Sequence, residues 1–62
     1  MNTKRICDTQ AKTAIERFTA SHQVTIVLWE ASVQSIYVEY QRSDDHLYRV
    51  LLNYNGKIIQ TL

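Results

Sequence analysis

The apolar residues of this chain change period once, at Val24, and that single change limits the folds open to it. Before it, Cys7, Ala11, Ala14, Ile15 and Phe18 stand at i, i+4, i+7, i+8 and i+11, one stripe on a helical period, which predicts an amphipathic helix over residues 8 to 21. After it the residues become β-branched and aromatic: Val24 to Trp29, then Ile36, Tyr37, Val38 and Tyr40, then Leu47 to Leu52. One helix and then strands, within 62 residues, reads as a single small α+β domain of two layers with no room for a second one.

The helix start is expected at Asp8 or Thr9, because Lys4 and Arg5 oppose the positive end of the helix dipole. Thr13-Ala14-Ile15-Glu16 has the form of a capping box, but the apolar stripe runs through it, which assigns it to the helix interior.

Turn chemistry then orders the strands. Gly56 is the one glycine and there is no proline. Asn55-Gly56 is the dipeptide of a type I′ turn, expected here between strands at 46–54 and 57–62, with Tyr54 opposite Lys57, Leu52 opposite Ile59 and Val50 opposite Thr61. Ser43-Asp44-Asp45 is the preceding turn. With three residues in that loop, Arg42 faces His46, Tyr40 faces Tyr48, Val38 faces Val50 and Ile36 faces Leu52, and the apolar residues of both strands share a face. A loop one residue longer or shorter places them on opposite faces. The link from Trp29 to Val33, Glu30-Ala31-Ser32, carries no such signal and leaves the register of the first strand open. The expected architecture is one N-terminal amphipathic helix packed on a four-stranded antiparallel β-meander.

A helix of three to four turns covers one sheet face, the one carrying Ile36, Val38, Tyr40, Tyr48, Val50, Leu52 and Ile59. The other face carries Tyr37, Glu39, Gln41, Leu47, Arg49, Leu51, Asn53, Ile58, Gln60 and Leu62, and is only half polar. Scattered exposed leucines are ordinary, whereas a contiguous patch marks an interface. The expected protein interface is therefore Tyr37, Glu39, Leu47, Arg49, Leu51, Ile58 and Leu62, with Glu39 and Arg49 as a cross-strand pair. Its occupant is a second copy in a homodimer, or a larger protein that this chain inhibits or adapts.

Composition narrows the chemistry. Seven Lys+Arg against six Asp+Glu leave a formal +1, which is no electrostatic footprint for nucleic acid. The alternative reading is a small nucleic-acid-binding protein that stacks bases on sheet aromatics, Tyr37 foremost, beside Arg42 and Arg49. Asp44-Asp45-His46 is the densest run of metal-ligand types, yet turn formation accounts for it, and no metal or cofactor is expected. Cys7 paired with His22 or His46 has the types of a nucleophile and base; nothing in the spacing joins them, and Cys7 reads as a small hydrophobe at the start of the stripe. His22 suits the negative end of the helix dipole. With Gly56 committed to the hairpin, no Gly-rich phosphate loop exists, and the chain is not expected to be an enzyme.

The single cysteine excludes a disulfide framework and fits a reducing, cytoplasmic setting. The first residues, MNTKRICDTQAKTA, lack the apolar core of a secretory signal, and no stretch is long and apolar enough for a membrane span, so no membrane partner is expected. Beginning at Met1, the chain reads as a complete small gene product.

Overall fold

The computed structural model describes residues 2–62, with side chains from Thr9 onward. One helix, α1 (Asn2–His22), precedes four strands: β1 (Thr25–Ala31), β2 (Ile36–Gln41), β3 (Leu47–Leu52) and β4 (Ile58–Thr61). The strands form one antiparallel sheet in meander order β1-β2-β3-β4, which is the α+β arrangement that the pattern predicts.

The helix buries the expected stripe. Ala11, Ala14, Ile15 and Phe18 are buried against Ile36, Val38, Tyr40, Val50 and Leu52; the side chain of Cys7 lies outside the described residues. The helix begins at Asn2, ahead of the expected cap at Asp8 or Thr9, and its first turn holds no acidic residue. Interaction of one charge with the helix dipole is worth only about 0.3–1 kcal/mol, too little to set a boundary. Thr13 donates its hydroxyl to the Thr9 carbonyl (3.3 Å), as a threonine inside a helix does. At the other end Gln23 adopts φ 53°, and its N–H bonds the Thr19 carbonyl at 2.8 Å, a left-handed helix stop made without glycine.

The β2–β3 register is the expected one at every pair, from Ile36 opposite Leu52 to Gln41 opposite Leu47. The three-residue loop that sets it is closed by the Asp45 N–H on the Arg42 carbonyl (2.9 Å), with Asp45 at φ 65°. This is the turn-plus-left-handed-residue geometry of three-residue hairpins.

The β3–β4 hairpin differs from expectation. A type I′ turn needs positive φ at both Asn55 and Gly56, but among the described residues the positive-φ positions are Gln23, Asp45 and Gly56. The loop is Tyr54-Asn55-Gly56, closed by Gly56 N–H on the Asn53 carbonyl (3.0 Å) and Asn53 N–H on the Lys57 carbonyl (2.8 Å). The Asn53 side-chain oxygen accepts from both Asn55 N–H (2.9 Å) and Lys57 N–H (3.0 Å), doing locally what a second positive-φ residue would do. Leu52 therefore stands opposite Ile58, not Ile59, and a register shift returns Leu51 to Gln60 and Val50 to Thr61 as expected. Ile59, assigned to the core, is 54% exposed; it is the extra residue of this shift, between Ile58 opposite Leu52 and Gln60 opposite Leu51.

Tertiary packing explains the choice of loop. Gly56 is buried beneath the helix at φ 86°, and a Cβ there would lie 2.6 Å from the Ala14 carbonyl oxygen and 3.1 Å from the Arg17 Cβ. The hairpin loop thus meets the helix backbone directly.

β1 also carries a register shift, between Ile26 and Leu28. Ile26 pairs with Tyr40, and Trp29 and Ala31 pair with Val38 and Ile36, so all three turn toward the helix although Ile26 and Trp29 are an odd number of residues apart. The irregularity at Val27 accounts for the apolar residues on both sides of this strand. Its hairpin to β2 uses Ser32 in place of turn glycine: Ser32 Oγ donates to the Ser35 carbonyl (2.9 Å) and accepts the Ser35 N–H (3.3 Å). The Ser32 carbonyl is left to accept the Tyr54 hydroxyl, which braces this loop against the β3–β4 loop.

Gly56→Ala is expected to destabilise the fold by about 2 kcal/mol or more, combining an unfavourable φ with contact on Ala14, and to lower the melting temperature by roughly 10 °C. Asn55→Ala should move it little, within about 0.5 kcal/mol. Thermal circular dichroism of the pair separates this loop from a type I′ turn, in which both substitutions are costly. Gln23→Gly should raise stability by about 0.5–1 kcal/mol by removing strain at the helix stop, measurable in the same way.

Candidate interaction face

Strand alternation and register arrange the open side of the sheet in rows. Leu28 of β1, Glu39 of β2 and Arg49 of β3 stand in the middle row. Leu62 extends that row beyond β4, its N–H bonding the Arg49 carbonyl at 2.9 Å. Beside it run Glu30, Tyr37, Leu51 and Gln60, and on the other side Thr25, Gln41 and Leu47.

Leu28, Leu47 and Leu62 are 51%, 53% and 53% exposed, while Tyr37, Glu39 and Leu51 are half-buried among their neighbours. Six of the seven residues expected at the interface are brought together: Tyr37, Glu39, Leu47, Arg49, Leu51 and Leu62. Ile58 is the exception in register, since its Cα stands opposite Leu52, a residue buried beneath the helix. The shift in β4 moves it from the open-face rows to the edge of the covered side.

Leu28 was missed because the first strand carries no turn signal; only its excess of apolar residues on both sides hints at the irregularity that places Leu28 here. The same irregularity turns Trp29 inward.

Glu39 and Arg49 are directly opposite, as expected. The Glu39 carboxylate accepts the Tyr37 hydroxyl at 2.5 Å, two residues along the same strand and on the same face. That hydrogen bond, desolvation and the carboxylate charge push the Tyr37 phenol above its usual 10.0, and the Arg49 guanidinium beside it partly offsets them. At the centre of the face the Tyr37 phenol bonds the Glu39 carboxylate with the Arg49 guanidinium beside it, and leucines stand around them.

The other candidate residues have structural partners. Asp44 Oδ1 accepts the His46 N–H (3.0 Å) and Oδ2 accepts the Tyr48 hydroxyl (3.1 Å). The first of these bonds holds the Asp44 carboxyl below its usual 3.8, and the second helps. Arg42 stands over the Tyr48 ring, 5.6 Å from its centre, rather than beside Tyr37. His22 ends the helix, donates from Nδ1 to the Phe18 carbonyl (3.0 Å) and stacks on the Phe18 ring at 4.4 Å. Phe18 meets Tyr40 edge-on at 5.2 Å, and Tyr40 stacks on Tyr48 at 5.4 Å, so these aromatic rings form a ladder on the helix side. Among the described residues no group of three or more His, Cys, Asp or Glu gathers as a metal site would require. No helix there is long and apolar enough to cross a membrane.

The pH dependence at the two ends of the scale follows from these contacts. Tyr37 and Tyr48 have folded pKa values raised above 10.0, so what their hydrogen bonds contribute is present below pH 10 and is lost as pH rises through the folded values. Asp44 has the opposite sign: its contribution is present above its ordinary 3.8 and is lost as pH falls through the depressed value. Ultraviolet titration of the tyrosines should show late ionisation of Tyr37, and Glu39→Gln should bring it back toward 10. An unchanged Tyr37 titration in that variant contradicts the assigned contact.

Comparison of the chain with protein-family models, with curated proteins and with solved structures found no match.

Proposed function

We propose that the chain is a small non-enzymatic protein-interaction module that acts through its open sheet face, in a homodimer or as an adaptor or inhibitor laid on a larger protein. A cytoplasmic setting suits the single cysteine. The supporting observation is the distribution of apolar surface: one helix covers one face, while Leu28, Tyr37, Leu47, Leu51 and Leu62 stand around Glu39 and Arg49 on the other. Such a surface favours association, because a partner buries apolar residues that the helix leaves uncovered.

The nucleic-acid reading draws less support. Trp29, Tyr40, Tyr48 and Tyr54 pack on the core side, and Tyr37, the tyrosine of the open face, is bonded to a carboxylate. A stacking platform needs exposed rings free of neighbouring negative charge.

Leu51→Glu tests the proposal. A carboxylate placed at a buried interface is desolvated without a partner, and self-association should weaken by roughly a hundredfold or more. Sedimentation of wild type and variant at micromolar concentration reads the effect, with circular dichroism to confirm folding. If folding and association are one step, the variant loses both at a concentration where wild type keeps both. A folded variant that associates as wild type does removes the proposal's main support.

A further inference from the structure

We infer that the occupant of the open face is a second copy of this chain, docked face to face about a two-fold axis that runs along the strands between β2 and β3. The inference rests on the interaction-face reading and adds to it the partner and the geometry.

Its basis is the row structure of the face. Two sheets stacked face to face by a two-fold operation require the axis to lie in the interface plane, because only such a rotation reverses the direction in which the face points. An axis along the strands, midway between β2 and β3, exchanges β2 with β3 and β1 with β4 while keeping each row on itself. The middle row then places Glu39 over the second copy's Arg49, Arg49 over its Glu39, and Leu28 over its Leu62. The adjacent row places Tyr37 over Leu51 and Glu30 over Gln60, with the polar pair at the rim. The remaining row places Gln41 over Leu47. At the centre charge meets opposite charge, Tyr37 and Leu28 meet leucines, and each contact occurs twice, as an isologous interface requires.

An axis across the strands fails on charge when it lies along the middle row: it sets Glu39 on Glu39 and Arg49 on Arg49, two like-charge pairs brought together out of water. The chosen axis also leaves bonding capacity to use: a carboxylate has about four acceptor sites and a guanidinium five N–H donors, more than Tyr37 occupies.

Edge pairing, the competing way for a small sheet to find a second copy, is opposed by the fold. Both edge strands carry a register irregularity, β1 between Ile26 and Leu28 and β4 opposite Leu51 and Leu52. Irregular edges interrupt the row of backbone donors and acceptors that a strand from another copy would have to match. The face is the remaining route, and it produces an aligned sandwich with the helices on the two outer sides.

Charge reversal tests this geometry. Glu39→Arg and Arg49→Glu, each alone, should weaken dimerisation by roughly tenfold or more, since each sets like charges over one another twice. An equimolar mixture of the two variants should restore dimers, because across the axis the introduced arginine of one variant meets the introduced glutamate of the other, and the unaltered Arg49 of the first meets the unaltered Glu39 of the second. A separate arm, in a Cys7→Ser background, mixes Leu28→Cys with Leu62→Cys and adds a short bismaleimide, because facing sheets stand about 10 Å apart, too far for a direct disulfide. A cross-link between the two variants, and none within either alone, is expected. This arm reports on geometry even if a charge variant folds poorly.

Wild type that remains monomeric throughout the micromolar range overturns the second copy as occupant and leaves the face to a different protein. Dimers abolished by Leu51→Glu but indifferent to charge reversal, with no Leu28–Leu62 cross-link, overturn the two-fold geometry and keep the face. Dimers that survive Leu51→Glu overturn both.

Discussion

The structure depends on how closely one helix approaches the sheet. Ala11 and Ala14, both fully buried, keep the helix surface low, and Gly56 lets the β3–β4 loop come against the Ala14 carbonyl where a side chain has no space. Close approach lets Phe18 lie against the sheet and bury completely with Ile36, Val38, Val50 and Leu52. Truncating such a residue costs about 3–5 kcal/mol, comparable with the whole stability of a domain this small. The core has little redundancy, and the small residues that admit the helix matter as much as the large ones it buries.

The same economy generates the open face. A single helix covers a four-stranded sheet on one side, and even so every residue of β4 is exposed, Ile58 and Ile59 among them. The described residues form no third layer. The uncovered side nevertheless keeps leucines and a tyrosine around an opposed Glu39 and Arg49, which is an expensive composition for a surface meant only for water. The irregular edges and the half-apolar face give complementary instructions: they discourage growth of the sheet sideways and favour contact through its broad side.

Apart from Gly56 in the β3–β4 loop, local side-chain chemistry stands in for glycine in the turns. Asp45 takes the left-handed position in the β2–β3 loop, Gln23 takes it at the helix end, and the side chains of Ser32 and Asn53 satisfy backbone groups in the other two hairpins. Asp44 adds an acceptor for the His46 N–H and ties Tyr48 to the loop. With one glycine and no proline, the chain relies on short polar side chains beside the backbone, which are weak punctuation in a sequence and strong punctuation in a fold.

Fold class, strand order, the buried helix stripe and the whole β2–β3 register were legible in the residues, because each depends on local period or on the length of one loop. Loop length sets parity, and parity decides which side chains share a face. It also brought Tyr37, Glu39, Leu47, Arg49 and Leu51 together before any coordinates. The irregularities in β1 and β4 were not legible, and they decided the rest: Leu28 outward, Trp29 inward, Ile58 off the open face, Ile59 out of the core. A register shift is stabilised by contacts far away in the chain, here the helix side of Ile26 and Trp29 and the seat of Gly56 on Ala14. Asn55-Gly56 is equally compatible with a two-residue and a three-residue loop when read locally. The helix backbone, far earlier in the chain, selects the loop that places its glycine beneath Ala14.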